Sequence, residues 1–201
     1  MRELVLGPKR FTDLRAGLPN VSPDVLAQRL RELEQAGIVR RRKLPPPAGA
    51  KVYELTQWGQ ELEPVLLDLG RWGSRSPLGP EPPALGVDAV AVALKTMFDP
   101  VRGDGIDVSY QLRLGEYDFA LRVAAGELEL VRGDAEAPIA RMETDPSTLA
   151  ALLWRGYPLD SALAAGTLTI EGSKPAVARL MGLFPPSVPA PTPGAAEVRQ
   201  P

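Results

Sequence analysis

The 201-residue chain contains neither cysteine nor histidine. Without cysteine there are no disulfides, thiolate metal sites or cysteine nucleophiles. Without histidine, the Ser-His triads, most zinc sites and any imidazole general base are gone as well. Aromatics are sparse, at 5% of residues, and no apolar run approaches the length of a membrane span. Met1-Arg2-Glu3-Leu4 lacks the long apolar region of a secretory leader. The expectation is a cytoplasmic protein that is not an enzyme and holds no cofactor or metal. Gly103-Asp104-Gly105-Ile106-Asp107 has oxygen ligands at short spacing, but it lacks the terminal Glu of a calcium loop and reads as a turn before a strand.

What is present is globular in composition, with 44% apolar and 24% charged residues. The length suits one large domain or two small ones. The net charge of −2 hides an asymmetry. Residues 1–73 carry 12 Lys/Arg against 9 Asp/Glu, a net of +3, whereas residues 74–201 carry 11 against 16, a net of −5. A basic front suits a polyanionic partner. The 22 prolines cluster at Pro45–Pro47, at Pro77, Pro80, Pro82 and Pro83, and at six positions from Pro185 to Pro201. Proline fixes φ and lacks the N–H, so such clusters interrupt regular structure. Residues 74–86 therefore read as a Pro-rich linker and 185–201 as a disordered Pro-rich tail.

Between Lys9 and Leu18, Phe11, Leu14 and Leu18 recur at helical spacing, and Gly17, Pro19 and Asn20 end the run. Ser22-Pro23 restarts a helix, because Ser caps orphan N–H groups and Pro suits the first helical position. Leu26, Leu30 and Leu33 form its apolar stripe and Gly37 its stop. Ile38–Lys43, with Arg40, Arg41, Arg42 and Lys43, pairs with Lys51–Leu55 as a basic hairpin. A helix over 57–72 follows, bent by Pro64, with Leu62, Leu66, Leu69 and Trp72 near one face. Helix, helix, basic hairpin and helix is the order of a winged helix-turn-helix.

The residues Gly7–Leu14, Ser22 with Leu26, Arg29–Glu34, Ala36–Val39, Val52–Thr56, Gly59, Leu66, Leu69 and Trp72-Gly73 resemble the HxlR-type winged-helix transcriptional regulators. The resemblance covers 1–73 and implies sequence-specific binding of double-stranded DNA by a homodimer. That family's pattern begins with further helical sequence, here reduced to a stub before Gly7. The missing part contributes to the family's dimer interface, so a late chain start or a start codon placed too far downstream puts dimerisation in question. With Leu26, Leu30 and Leu33 inward, Asp24, Gln28, Arg31 and Gln35 face outward. Gln28 can pair bidentately with adenine and Asp24 can accept from cytosine N4. Arg31 and the cations Arg40, Arg41, Arg42, Lys43 and Lys51 suit phosphates, and Ser22 stands at the entry of the same helix. Taken alone, these groups are equally what a solvated face carries.

In the back segment, Val90, Leu94 and Phe98 have helical spacing. Ile106, Val108, Tyr110, Leu112 and Leu114 alternate with polar residues as a half-buried strand. Gly115-Glu116 turns the chain into a second strand with Tyr117, Phe119, Leu121 and Val123. Leu128 with Leu130, Ile139–Thr144 and Thr167–Glu171 make three more strands. Helices start at Asp145-Pro146, near Leu159 and at Lys174. The fold class expected is α+β, a winged helix-turn-helix followed by a five-stranded sheet covered by helices over 87–184. The Asp145-Pro146 start, Leu152 with Gly156, and Gly166–Gly172 before the last helix resemble the sterol carrier protein type 2 fold. That resemblance implies an apolar cavity for an acyl or sterol-like ligand. Tyr110, Leu112, Phe119, Leu121, Leu149, Leu152, Leu153 and Leu163 are its candidate lining, and they are equally what any close-packed core contains. Two functions compete: a ligand-responsive transcription regulator, and a lipid or small-molecule carrier whose winged helix no longer functions.

Overall fold

The structure is a computed structural model describing residues 1–46, 49–76 and 85–191. A 3-10 turn at Arg2–Leu4 leads to α1 (Phe11–Gly17) and α2 (Pro23–Gln35). The Ser22 hydroxyl accepts the Val25 N–H at 3.3 Å, and Pro23 occupies the first turn of α2. Leu26 and Leu30 are buried with Leu4, Leu14, Val39 and Leu55, and Leu33 packs at the edge of this first core. Strands β1 (Val39–Lys43) and β2 (Lys51–Leu55) pair antiparallel, with Arg40 opposite Glu54 and Arg41 opposite Tyr53. Lys9 adds a third edge through two backbone hydrogen bonds with Tyr53, of 2.9 and 2.8 Å.

The bent helix expected over 57–72 is instead two helices, α3 (Gln57–Gln60) and α4 (Glu63–Gly73). Pro64 offers no N–H, and its ring excludes the carbonyl four residues back, so the helix breaks and restarts with Pro64 in the new first turn. The break resets the helical phase. Leu69 and Trp72 are 60% and 70% exposed, and Leu67 packs against the second core instead. Thr56 knits the joint: its hydroxyl donates to the Gly37 carbonyl at 2.6 Å and accepts the Gly59 N–H at 3.0 Å. Gly59 has no substitute here, since a Cβ would stand 2.1 Å from the Ile38 carbonyl oxygen.

The second layer comprises α5 (Val87–Met97), α6 (Pro100–Gly103), β3 (Asp107–Leu114), β4 (Tyr117–Ala124), β5 (Glu127–Arg132) and β6 (Ala140–Thr144). It continues with α7 (Pro146–Trp154), α8 (Leu159–Ala164), β7 (Leu168–Gly172) and α9 (Lys174–Met181). The strand order is β5-β4-β3-β6-β7, antiparallel except for the parallel pair β3–β6. Side chains two apart on β3 and β4 (Tyr110, Leu112, Leu114; Phe119, Leu121, Val123) share one face and form the second core with α5, α7 and α9. The α+β architecture is therefore as the alternation indicated. One outward position departs from it: Gln111 is buried. Its amide donates to the Phe119 and Gly133 carbonyls and accepts the Ala135 N–H at 2.6 Å, so it satisfies the segment that crosses the sheet from β5 to β6.

A chain of charges joins the two cores. The buried Lys9 ammonium donates to Glu3 at 2.8 Å and to Asp88 of α5; Asp88 also accepts from Arg132 of β5, and Glu3 from Arg2 at 2.9 Å. Gly17 lies against Glu3, and a Cβ there would stand 2.4 Å from the carboxylate and push it aside. Lys9 is the only cation between two buried carboxylates among the described residues. Lys9→Met should therefore destabilise the protein by about 3–5 kcal/mol in urea unfolding; a loss under about 1 kcal/mol would mean the carboxylates find water instead.

Two local features carry further expectations. Ala125 and Gly126, between β4 and β5, both have positive φ, +51° and +73°. This turn class favours Asn-Gly, so Ala125→Asn should stabilise by up to about 1 kcal/mol, read as a rise in Tm. Asp145 caps α7 by accepting the Ser147 and Thr148 N–H groups at 2.8 and 3.0 Å. Burial pushes its carboxyl up, but the hydrogen bonds from Ser147 and Thr148 win and hold it down from 3.8 to about 2. A depressed carboxyl stabilises fully above its unfolded value, and that contribution fades as pH falls from about 4 to about 2. Asp145→Ala should cost about 1 kcal/mol at neutral pH and flatten the acid-unfolding limb in that window.

Candidate nucleic-acid interface

Asp24, Gln28, Arg31 and Gln35 all lie exposed on α2, opposite its buried leucines. Gln28 is held along the helix: its carbonyl oxygen accepts from Arg31 at 2.7 Å and its amide donates to Glu32 at 2.9 Å. The hydrogen bond from Gln28, and then that from Arg29 at 2.7 Å, lower the Glu32 carboxyl from its ordinary range. Both bonds of Gln28 are exposed and exchange cheaply with water, so the amide is available to a base edge. Asp24 lies in the first turn of α2, where the helix dipole favours a negative charge. The Ser22 hydroxyl is committed to the cap.

The wing is more constrained than a bare run of cations. Arg40 and Arg42 project from one face of β1 and both donate to Glu54 at 2.8 Å. Arg41 projects from the other face, 3.0 Å from Glu34 of α2 and stacked over the Tyr53 ring at 5.0 Å. Burial acts to raise the Glu54 carboxyl, yet the hydrogen bonds and charges of Arg42 and Arg40 prevail and leave it lowered. Beyond them, Lys43 and Lys51 face each other directly across the hairpin, both exposed. Like charges opposed across strands destabilise a hairpin unless an anion lies between them. The carboxylate partners Glu34 and Glu54 were not read from sequence. The signal for Glu54 lies in the register that sets it opposite Arg40, and the hairpin turn that fixes this register includes residues outside those described.

The eight candidate lining residues of the back layer lie together. Tyr110, Leu112, Phe119, Leu121 and Leu149 are almost completely buried, Leu152 and Leu153 are buried, and Leu163 packs at the margin of the same core. Tyr110 donates its hydroxyl to the Ala176 carbonyl at 3.2 Å, and burial pushes its phenol up. An apolar cavity of 730 Å³ lies elsewhere, at the seam where α4 meets α5, and none of the eight residues lines it. Its walls include Leu66, Leu69, Ala89, Ala93, Trp154 and Pro186. The start of the segment expected to be a solvated tail closes one side. Ser187 hydrogen-bonds Ser74 at 2.5 Å, and the Ala190 N–H donates to the Arg75 carbonyl at 2.7 Å. One side-chain and one backbone hydrogen bond thus pin 185–191 to the end of α4. Residues 192–201, and 77–84 of the expected linker, lie outside the described residues.

A helix-turn-helix whose second helix is exposed beside a basic wing defines a class, the winged-helix proteins, here joined to an α+β layer. The sequence profile of HxlR-like helix-turn-helix proteins matches residues 1–77. The uncharacterized HTH-type transcriptional regulator YvaP of Bacillus subtilis is 39% identical over 72 residues, 36% of this chain and 67% of that protein. The reduced form of the transcriptional regulator YodB from B. subtilis is 39% identical over 36% of this chain and 71% of its own, with a TM-score of 0.33. The ubiquinone synthesis protein UbiJ-SCP2 is 17% identical over 60% of this chain and 89% of its own, with a TM-score of 0.36. Through its front domain, the chain belongs to the HxlR-like helix-turn-helix family. It spans 67%, 59% and 64% of the first curated relatives it matches. No helix among the described residues is long and apolar enough to cross a membrane.

Glu54→Gln should release Arg40 and Arg42 while keeping the side chain's volume. Binding to heparin, a sequence-free polyanion, should tighten, and log K against log salt should steepen by roughly 0.9 for each arginine that gains an anionic contact. An unchanged slope would mean that both arginines stay on the hairpin.

Proposed function

We propose that this protein is a DNA-binding transcriptional regulator whose back layer senses an apolar ligand, acyl or sterol-like in character. It acts by binding rather than catalysis, in the cytoplasm and as a homodimer. The first part of α2 enters the major groove with Gln28 and Asp24 toward base edges. The wing lies along the phosphates. The observation that carries this reading is the Lys43–Lys51 opposition at the end of a hairpin already rich in arginine. That arrangement is costly alone and is relieved by a polyanion. Membership in a family of helix-turn-helix regulators supports it.

A second reading, a carrier whose winged helix does not bind DNA, is favoured by the 730 Å³ apolar cavity, a size ordinary for small-molecule sites. Mobility shifts at two salt concentrations separate the two: a regulator binds duplex DNA and loses affinity steeply with salt, whereas a carrier binds none. Within the first reading, Gln28→Ala should change preference at one base position by about 1–3 kcal/mol and leave nonspecific affinity nearly intact. Replacing Arg41 and Arg42 together should weaken binding to all sequences alike and flatten the salt slope by roughly 0.9 per lost contact. A Gln28→Ala protein with unaltered base preference would take α2 out of the groove.

A further inference from the structure

We propose that the seam cavity between α4 and α5 is the binding site for an apolar anion, and that the winged helix senses its occupation directly because α4 is one of its walls. The proposal rests on the ligand-responsive reading above and places the ligand outside the sheet's interior. The seam leaves space for a structural reason. α4 and α5 touch at Gly70 and Thr96, where a Cβ on Gly70 would stand 3.1 Å from the Thr96 methyl. Beside that contact, α5 presents Ala89 and Ala93, whose small side chains leave room for a bulky apolar body. Leu69 on the opposite wall is 60% exposed, an apolar surface that gains by being covered. The cavity is thus a large apolar space built from two helices, Trp154 and the pinned segment after α9.

Two polar features give the occupant its chemistry. Among the described residues that line the cavity, Arg2 is the only charged one. Its guanidinium spends Nε and Nη2 on Glu3 and the side chain is 48% exposed, so further donors remain at the rim. Trp154 carries a buried indole N–H with no hydrogen-bond partner among the described residues. Buried donors are rarely left so, and this one lacks the acceptor that an oxygen of the occupant supplies. An apolar body with one anionic oxygen group answers both. The coupling follows from the ion chain: an anion on Arg2 competes with Glu3, and Glu3 is tied through Lys9 to Asp88 on α5. Ligand and polyanion therefore change each other's affinity by the same factor.

The test uses the full chain and two dyes of matched shape, 1-anilinonaphthalene-8-sulfonate and its uncharged analogue N-phenyl-1-naphthylamine. The sulfonate should bind about tenfold more tightly, and Arg2→Gln should erase that preference. Ala93→Trp fills the cavity and should weaken both dyes more than tenfold. Leu69→Gln, at an exposed position that does not threaten folding, should weaken both in the same direction. Trp154→Phe should reduce the energy transfer to the bound dye, leaving only the share from Trp58 and Trp72. Sulfonate binding that ignores Arg2→Gln, Ala93→Trp and Leu69→Gln alike would overturn this site while leaving a ligand-responsive regulator in place. Failure of both dyes to bind would overturn the site and remove the apolar ligand from the reading, with DNA binding decided separately by mobility shift.

Discussion

Lys9 sits between Glu3 and Asp88, out of water, and much else in the molecule rests on that arrangement. Its backbone completes the wing sheet with Tyr53, while its ammonium reaches α5 of the other layer. One residue therefore fixes the wing's inner edge and the docking of the two layers. The remaining links run outward on both sides, to Arg2 at the surface and to Arg132, which lies over the rings of Tyr117 and Phe119 at 4.7 and 5.0 Å. Buried ions are costly to desolvate and gain only when every partner is present, so this network specifies one relative placement of the layers more than it adds stability. The seam cavity lies beside this network: α4 and α5 are tied by Lys95 to Glu63 and by Gly70 against Thr96, and the small side chains of Ala89 and Ala93 leave room between them.

The wing shows how a basic sequence becomes a moderated surface. Three arginines in a row would repel one another on a two-stranded hairpin. Glu54 draws Arg40 and Arg42 to one face, and Glu34 with Tyr53 holds Arg41 on the other. What remains unbalanced is the lysine pair farther along. The pattern separates positioning from reading: cations already oriented by carboxylates lose little freedom on meeting a phosphate, while the less constrained Gln28 face is left to discriminate.

Local chemistry made most of the elements legible. Ser22-Pro23 and Asp145-Pro146 open helices for the same reason, a side-chain oxygen on orphan N–H groups followed by a residue that needs none. The alternation of Tyr110, Leu112 and Leu114 announced a buried face, and Gly115 supplied the turn after it. Pro64 marks an interruption in the pattern, but pattern alone does not tell whether a helix bends at the missing bond or restarts. Gln111 broke the alternation because it serves a crossing segment that comes 22 residues later for one of its bonds. The cavity and the Lys9–Asp88 pair were illegible for the same reason: both arise only when distant segments meet, and neither contributing stretch is unusual by itself.

That distance also has a consequence in time. Lys9 and Asp88 are 79 residues apart. During synthesis at roughly 5–20 residues per second, the front segment waits about 4–16 s for its counter-ion to be made. Over that interval the lysine stays in water beside Glu3, and the bridge its backbone makes with Tyr53 has no second layer to rest on. The front domain thus emerges first but reaches its final placement last, when α5 arrives with Asp88, and a nascent chain interrupted before that point presents a wing whose inner edge is still hydrated.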